Sequence, residues 1–455
     1  MKNPFFAIKL YCSKIYSFEY FERLFYKKWL KSLKKNINDY KNVNTNSPRL
    51  FWGPVPIINN KYWSNNLKSV GFESKTVMKE FYSINNSTDY DIYFEDIIKT
   101  HKQKLVPEIL RYKFSDLVIF DYLLKNFDIF HIPATGLLFK GVELEKFELD
   151  VLKLLGKKIV FIPYGSDTYM YSKVRDASLQ HALLLSYPQY GREEEEIESR
   201  VKRLEKNADA VIVSAMIDGI SRWDVLPFSV LTIDHNIWKR SVRTSKANGT
   251  DGYVNIVHTP NHRGFKGSEF IIEAVQQLKE EGLKINLILL EKVQNSEVNR
   301  ILMEDADILA EQLIFIGYAM SGLEGMSVGL PVLSNLNNEV YTRLFRRYSY
   351  LNECPILSTN PETIKDNLRI LIRNPELRKE LGNAGIEYSR KYHSIEANEY
   401  LFRNLYDKIW HNKESNLLNL FHPLNADSWN NKSPKIKHPL VENKIPDQLL
   451  EKLNK

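Results

Sequence analysis

Cysteine is nearly absent: among 455 residues only Cys12 and Cys354 carry a thiol. Two cysteines so far apart have no metal-like spacing and build no disulfide framework, which fits a reducing compartment and excludes a thiolate zinc site. No run approaches the roughly 18 to 20 apolar residues of a spanning helix, and the N-terminus lacks the apolar h-region of a signal peptide. The expectation is a protein made and kept in the cytoplasm. Surplus charge is also scarce outside one place. Lys and Arg number 63 against 56 Asp and Glu, a net +7; residues 1–41 hold ten of the former and three of the latter, leaving 53 of each elsewhere. A nucleic-acid-binding protein would need a basic groove in the rest of the chain, and none is encoded.

What is present is enough for two α/β domains. Hydrophobic residues make up 43% and aromatic residues 12%, so each domain has material for a core and global disorder is excluded. The first segment, residues 1–47, is basic, aromatic and amphipathic, and its residues 1–36 read as helix. At 100° per residue Tyr11, Ile15, Phe18, Phe25, Trp29 and Leu33 share a stripe, with Lys27, Lys31, Lys34 and Lys35 opposite and Glu22 interrupting the stripe. This pattern suits either an anionic membrane surface, giving a peripheral membrane protein, or docking on the protein's own domain.

From Pro48 short apolar runs alternate with helical segments. RLFWG, FDIFHI, KKIVFIPYGSD and ADAVIVSA read as buried strands of a first domain, residues 48–237. Periodicity is lost across 238–253, which predicts a linker. VNIVH, KINLILL, a short strand around Ile314, PVLSN and CPILST then read as strands of a second domain, 254–410, followed by a helix and a loosely held tail over 411–455. Strands alternating with helices predict parallel sheets.

Two strand-to-helix handovers in the second domain carry chemistry. After VNIVH comes the basic loop TPNHRGFKG with Arg263 and Lys266; after the strand near Ile314 comes SGLEGMSVG with Ser321, Gly322 and Glu324. Ligands bind open parallel sheets at such places, and small residues at a helix start let free backbone amides approach an anion. A nucleotide diphosphate is the expected occupant.

These blocks, HTPNHRGFKGSEFIIEAV, ADILAEQLIFIGYAMSGLEGMSVGLPVLS and CPILSTNPETIKDNLRILIRNPELRKELGNAG, resemble the donor-binding domain of GT-B glycosyltransferases and are most similar to glycosyltransferase family 4, in branches that build bacterial surface polysaccharides. The resemblance spans roughly 48–410. It implies two Rossmann-like doubly wound parallel-sheet domains facing a cleft, and transfer of a sugar, with retention, from a nucleotide-diphosphate sugar to a glycan or lipid-linked acceptor. Under it, Arg263 and Lys266 neutralise the donor diphosphate, and Glu324 accepts the ribose hydroxyls. The position of the family's first glutamate, eight residues earlier, is Ile316, which leaves the hold on the donor sugar open; Glu311 and Gln312 lie nearby without the right spacing.

In the first domain His131 and Asp167 end strands and resemble residues that family members place near the acceptor and the transferred sugar; Asn59 and Asn60 in the first loop are further acceptor-side candidates. The Asp-x-Asp strings at Asp89 and Asp305 lack convincing context, so neither a metal nor a cofactor beyond the nucleotide sugar is expected. Two other readings stay open: a GT-B nucleotide-sugar epimerase, and a non-catalytic nucleotide-binding or scaffold subunit of a glycan assembly complex.

Overall fold

The computed structural model describes residues 20–41, 46–82, 86–102, 104–215, 217–240, 245–426, 429 and 433–453. They form two compact units. The first comprises the described residues up to Asp167 with Ser199–Val211 and Tyr406–Glu414; the second comprises Thr168–Glu198, Ile212–Leu405 and the described residues from Ser415 onward.

In the first unit β1 (Leu50–Trp52), β2 (Ser74–Met78), β3 (Ile92–Tyr93), β4 (Ile129–Ile132), β5 (Lys158–Phe161) and β6 (Ala210–Val211) build one parallel sheet in the order β3-β2-β1-β4-β5-β6. The chain winds outward in both directions from β1 and β4, so the sheet has its topological switch point between them. β1 and β4 are buried at every position, as strands covered on both faces must be. The polar SKTVM of β2 and the two-residue β3 carry too weak a periodic signal to be read from sequence.

The helix Tyr20–Lys35 completes this unit's core. Trp29 and Leu33 are fully buried, and the Trp29 ring packs 5.8 Å from that of Phe120. Of the predicted stripe, therefore, Trp29 and Leu33 turn inward and Phe25 stacks 4.6 Å from Phe114; Tyr11, Ile15 and Phe18 lie outside the described residues. Docking on the chain's own domain accounts for the described part of the stripe, because an aromatic face gains more from a complementary aromatic core than from leaving that core open to water.

In the second unit β7 (Val254–His258), β8 (Ile285–Leu289), β9 (Ile308–Ile316), β10 (Val332–Asn335) and β11 (Leu357–Ser358) form a parallel sheet in the order β11-β10-β9-β7-β8. Its switch point lies between β7 and β9. β9 is longer than expected, and two register shifts against β10 interrupt it, one of them leaving Glu311 as an extra residue between the paired Ala310 and Gln312. The two doubly wound parallel sheets expected from the sequence are both present.

Packing does not divide the chain at 238–253. Thr168–Glu198 belongs to the second unit, where Ser186, at the end of the helix Ala177–Ser186, accepts the Phe265 amide at 3.3 Å. Loss of periodicity marks a connection but not the unit on which the connection packs. The tail is also held more firmly than expected. Leu440 joins the second unit's core, and the Asn443 amide donates to the carbonyls of Cys354 and Ile356 at 2.7 and 3.0 Å.

Candidate functional site

At the switch point of the second sheet, His258 ends β7 and the chain turns into the one-turn helix Arg263–Lys266. Gly267 stops that helix in the left-handed region, at φ 73°, and a side chain there would meet Leu313 of β9 at 3.0 Å. Close approach to β9 is what carries Lys266 inward. Its ammonium is buried, donates to Gln312 Oε1 at 2.7 Å and lies 3.5 Å from Glu311 Oε1. Burial lowers the Lys266 pKa against the opposing pull of Glu311.

The bulge in β9 is what brings Glu311 and Gln312 to this place, since an extra residue re-aims side chains that strict alternation would send to opposite faces. Gln312 is fixed by donating to the Gly317 carbonyl at 2.8 Å. Glu311 Oε1 accepts from the Ala319 amide at 2.7 Å and the Ser321 hydroxyl at 3.0 Å, both at the start of the helix Met320–Val328. Its Oε2 is buried with no hydrogen-bond partner among the described residues. Gly322 is required here because a Cβ would lie 2.3 Å from that oxygen. Among the described residues no acceptor meets the amides of Met320, Ser321 and Gly322, as the start of a helix dictates.

Glu324, one turn on, is buried and receives the Asn295 amide at 3.3 Å. Burial pushes its carboxyl up to about 8, with Asn295 opposing and Glu311 adding to the rise. His258 is also sealed, between the Ala310 carbonyl and the Ser268 hydroxyl, each at 2.7 Å; burial lowers it to about 4, so it is neutral. Lys266, Ser321, Gly322 and Glu324 therefore converge with two residues the sequence reading left unassigned, Glu311 and Gln312. The signal for these was two adjacent polar residues inside the apolar run ILAEQLIFI.

Arg263 stands apart from this group. It is exposed, and its guanidinium forks onto both Glu291 oxygens at 2.8 Å while a third nitrogen meets Glu269 at 2.8 Å. Ile316 is buried in an apolar cluster with Tyr169, Tyr171 and Leu183, so the position left open for the hold on a donor sugar carries an apolar side chain.

In the first unit, Asn59 and Asn60 open the helix Ile58–Ser69 just beyond β1, beside the switch point. Asn60 is buried and donates to the Val55 carbonyl at 2.9 Å, whereas Asn59 Oδ1 is buried without a partner among the described residues. Asp167 clasps the loops after β4 and β5: Oδ2 accepts the Ala134 amide at 2.8 Å, and Oδ1 those of Tyr164 and Gly165 at 3.0 and 2.9 Å. Burial nevertheless raises it to about 6. His131 is inside the core: Nδ1 donates to the Phe51 carbonyl, Nε2 accepts from the Tyr406 hydroxyl, each at 2.9 Å, and the ring stacks 3.6 Å from Trp52. With both nitrogens engaged and burial lowering its pKa to about 3, His131 has the geometry of a core histidine rather than of a group offered to a substrate.

The aspartates of the Asp-x-Asp strings meet partners within their own units. Asp89 pairs with Lys61 and Asp91 with Lys68, both at 2.6 Å; Asp305 meets Arg300 at 3.1 Å and Asp307 accepts the Asn255 amide at 2.8 Å.

No family model matches this sequence. No curated protein matches it either. Among solved structures the chain is similar to the Anabaena protein HepE in complex with UDP and glucose, at 10% identity, covering 78% of this chain and 98% of that one with a TM-score of 0.47. It is similar to a glycosyltransferase from Rickettsia africae at 14% identity, covering 81% of this chain and 100% of that one with a TM-score of 0.44. A UDP-GlcNAc 2-epimerase from Neisseria meningitidis bound to UDP-GlcNAc is similar at 13% identity, covering 78% and 98% with a TM-score of 0.39.

Proposed function

We propose that the protein is a glycosyltransferase that moves a sugar from a nucleotide-diphosphate sugar to a glycan or lipid-linked acceptor in bacterial surface polysaccharide synthesis. The observation that carries this reading is the meeting, at one switch point, of the buried Lys266 ammonium, the free amides of Met320, Ser321 and Gly322, and the buried Glu324 carboxyl. Departure of a nucleotide diphosphate leaves negative charge on the leaving group, and preorganised donors in a dry site stabilise that charge far better than water does. Lys266 and the helix amides supply such donors without a metal. Glu324, once ionised, accepts the two ribose hydroxyls. Arg263 joins them by exchanging Glu291 for a phosphate, a swap between two acceptors of the same bidentate geometry. Retention of configuration and the class of acceptor rest on the motif resemblance. The acceptor-side assignment narrows to the first unit's switch point, with Asn59, Asn60 and the loops that Asp167 ties together.

The exposed lysines Lys27, Lys28, Lys31 and Lys35 provide the edge by which the protein meets an anionic membrane. Reversing their charge should abolish sedimentation with anionic vesicles; unchanged sedimentation would remove this part of the reading.

The donor site is tested by thermal unfolding against UDP, GDP, ADP, CDP and their sugar conjugates. A ligand at about 100 times its dissociation constant adds roughly 2.7 kcal/mol of stability. One base should raise the midpoint, the effect should vanish in Lys266→Ala, and the sugar conjugate of that base should turn over with an acceptor extract. A flat response to every nucleotide would sink the reading. Apolar packing around Ile316 favours the non-catalytic alternative, in which nucleotide binds but no sugar is transferred or hydrolysed.

A further inference from the structure

The helix start proposed to hold the donor diphosphate already carries an anion, and the chain supplies it. Glu311 Oε1 takes the Ala319 amide and the Ser321 hydroxyl, lies 3.5 Å from the Lys266 ammonium, and is buried with its carboxylate. Its second oxygen, Oε2, is buried, has no partner among the described residues, and is aimed at Gly322, one of the three residues whose amides no acceptor meets there. A diphosphate arriving on the amides of Met320, Ser321 and Gly322 therefore meets a carboxylate at close range whose ion-pair partner among the described residues is Lys266 alone. Like charges a few ångströms apart in a poorly solvated site repel strongly, and a carboxylate with one unpaired buried oxygen is held in an arrangement that is only partly satisfied.

Resting on the donor-site reading, we propose that Glu311 is an internal competitor for the diphosphate: it occupies Lys266 and the helix start while the site is empty, and must yield both when donor binds. The bulge in β9 serves to place it there. Release of the leaving nucleoside diphosphate is promoted by the same return of Glu311 to the helix start, so the residue trades donor affinity for product release. Its role is positional, because it acts on Lys266 and the amides rather than on the reacting sugar.

The test is calorimetric titration of wild type and Glu311→Gln with UDP, GDP, ADP, CDP and inorganic pyrophosphate. Glutamine keeps the shape and an acceptor for Ala319 but removes the charge, so the nucleotide that binds wild type should bind the variant about tenfold more tightly or better, with slower dissociation in stopped flow. Glu311→Asp, which draws the carboxylate back by one methylene, should tighten binding to a smaller extent and serves if the glutamine variant does not fold. Unchanged or weaker binding by these variants, with wild type still binding, overturns the competitor role and assigns Glu311 to holding the donor or to structure alone. Failure of wild type and variants alike to bind any of the five probes overturns the donor site, and the competitor role with it.

Discussion

Lys266 and Gln312 share a 2.7 Å hydrogen bond in the interior of the second unit, with Glu311 as the ammonium's ionic partner at 3.5 Å. Arg263, three residues before Lys266, is exposed and, among the described residues, is paired with the surface carboxylates of Glu269 and Glu291. The two cations of the basic loop should therefore separate in experiment. Lys266→Ala strands a buried carboxylate and should cost about 3 to 5 kcal/mol of stability, together with nucleotide binding. Arg263→Ala should leave the urea midpoint unchanged while weakening nucleotide binding. A Lys266→Ala protein as stable as wild type would show that the Lys266–Glu311 pair contributes no net stability.

Asp121 ties the N-terminal helix to the first unit. One oxygen accepts from Trp29 at 3.0 Å and Tyr40 at 2.7 Å, and the other from His101 at 2.9 Å and Lys125 at 2.7 Å. Burial acts to raise this carboxyl, but the four hydrogen bonds outweigh it and hold it at about 2. The stability this depression contributes is present above the ordinary carboxylate range and lost as pH falls from about 4 toward 2. Asp121→Ala leaves four polar groups without their acceptor and should cost about 3 kcal/mol or more. Limited proteolysis should then cut first within residues 20–41, and a chain lacking residues 1–41 should be insoluble or strongly destabilised, since it uncovers the pocket of Trp29 and Leu33. A soluble, equally stable truncation would mean that the helix is a dispensable cover.

The parts of this molecule legible in its sequence are those with a local signature. VNIVH followed by a basic loop, and SGLEG at a helix start, place Lys266, Ser321, Gly322 and Glu324 without any knowledge of the rest of the chain. Glu311 was not legible because its direction depends on a bulge set by pairing with β10, more than twenty positions away in sequence. His131 lies within β4, one residue before its end, but its partner is Tyr406, 275 positions later, and only that contact decides whether the ring serves substrate or core. The aromatic stripe of the first helix had the same ambiguity: amphipathicity shows that a face is covered, whereas Phe120 and Asp121 determine by what.

Asn443 stitches the tail to the edge of the second sheet. Besides donating to Cys354 and Ile356, it offers its own carbonyl to the Ser358 amide at 2.8 Å. β11 is thus flanked by β10 on one side and by this segment on the other, which blunts an otherwise open edge. Asn443→Ala leaves two buried carbonyls unmet and should cost about 1 to 3 kcal/mol, seen as a lower urea midpoint with an unchanged slope. Deleting residues 437–455 should have a larger effect and promote self-association, measured by light scattering. A monomeric truncation of wild-type stability would return the tail to the status of a loose appendage.

Buried groups of both signs bound the pH range of stability. Burial raises Glu148 and Glu324 each to about 8, from an unfolded value of 4.5. The folded state therefore keeps protons that the unfolded state has released, and stability falls with rising pH across that interval, by about 1.4 kcal/mol per pH unit for each full proton of difference. Burial lowers His131 to about 3, and His258 and His393 to about 4, from 6.5. Here the unfolded state takes protons that the folded state refuses, so stability falls as pH drops below about 6.5. Thermal midpoints should therefore peak in the mildly acidic range. Glu148→Gln should flatten the alkaline limb without changing nucleotide affinity. Glu324→Gln should flatten the same limb and weaken nucleotide binding, because only the ionised carboxylate accepts both ribose hydroxyls; for the same reason wild-type affinity should rise as pH approaches about 8. An affinity independent of pH up to that value, with the alkaline limb still present, would detach Glu324 from the ribose and leave it as a buried structural acid.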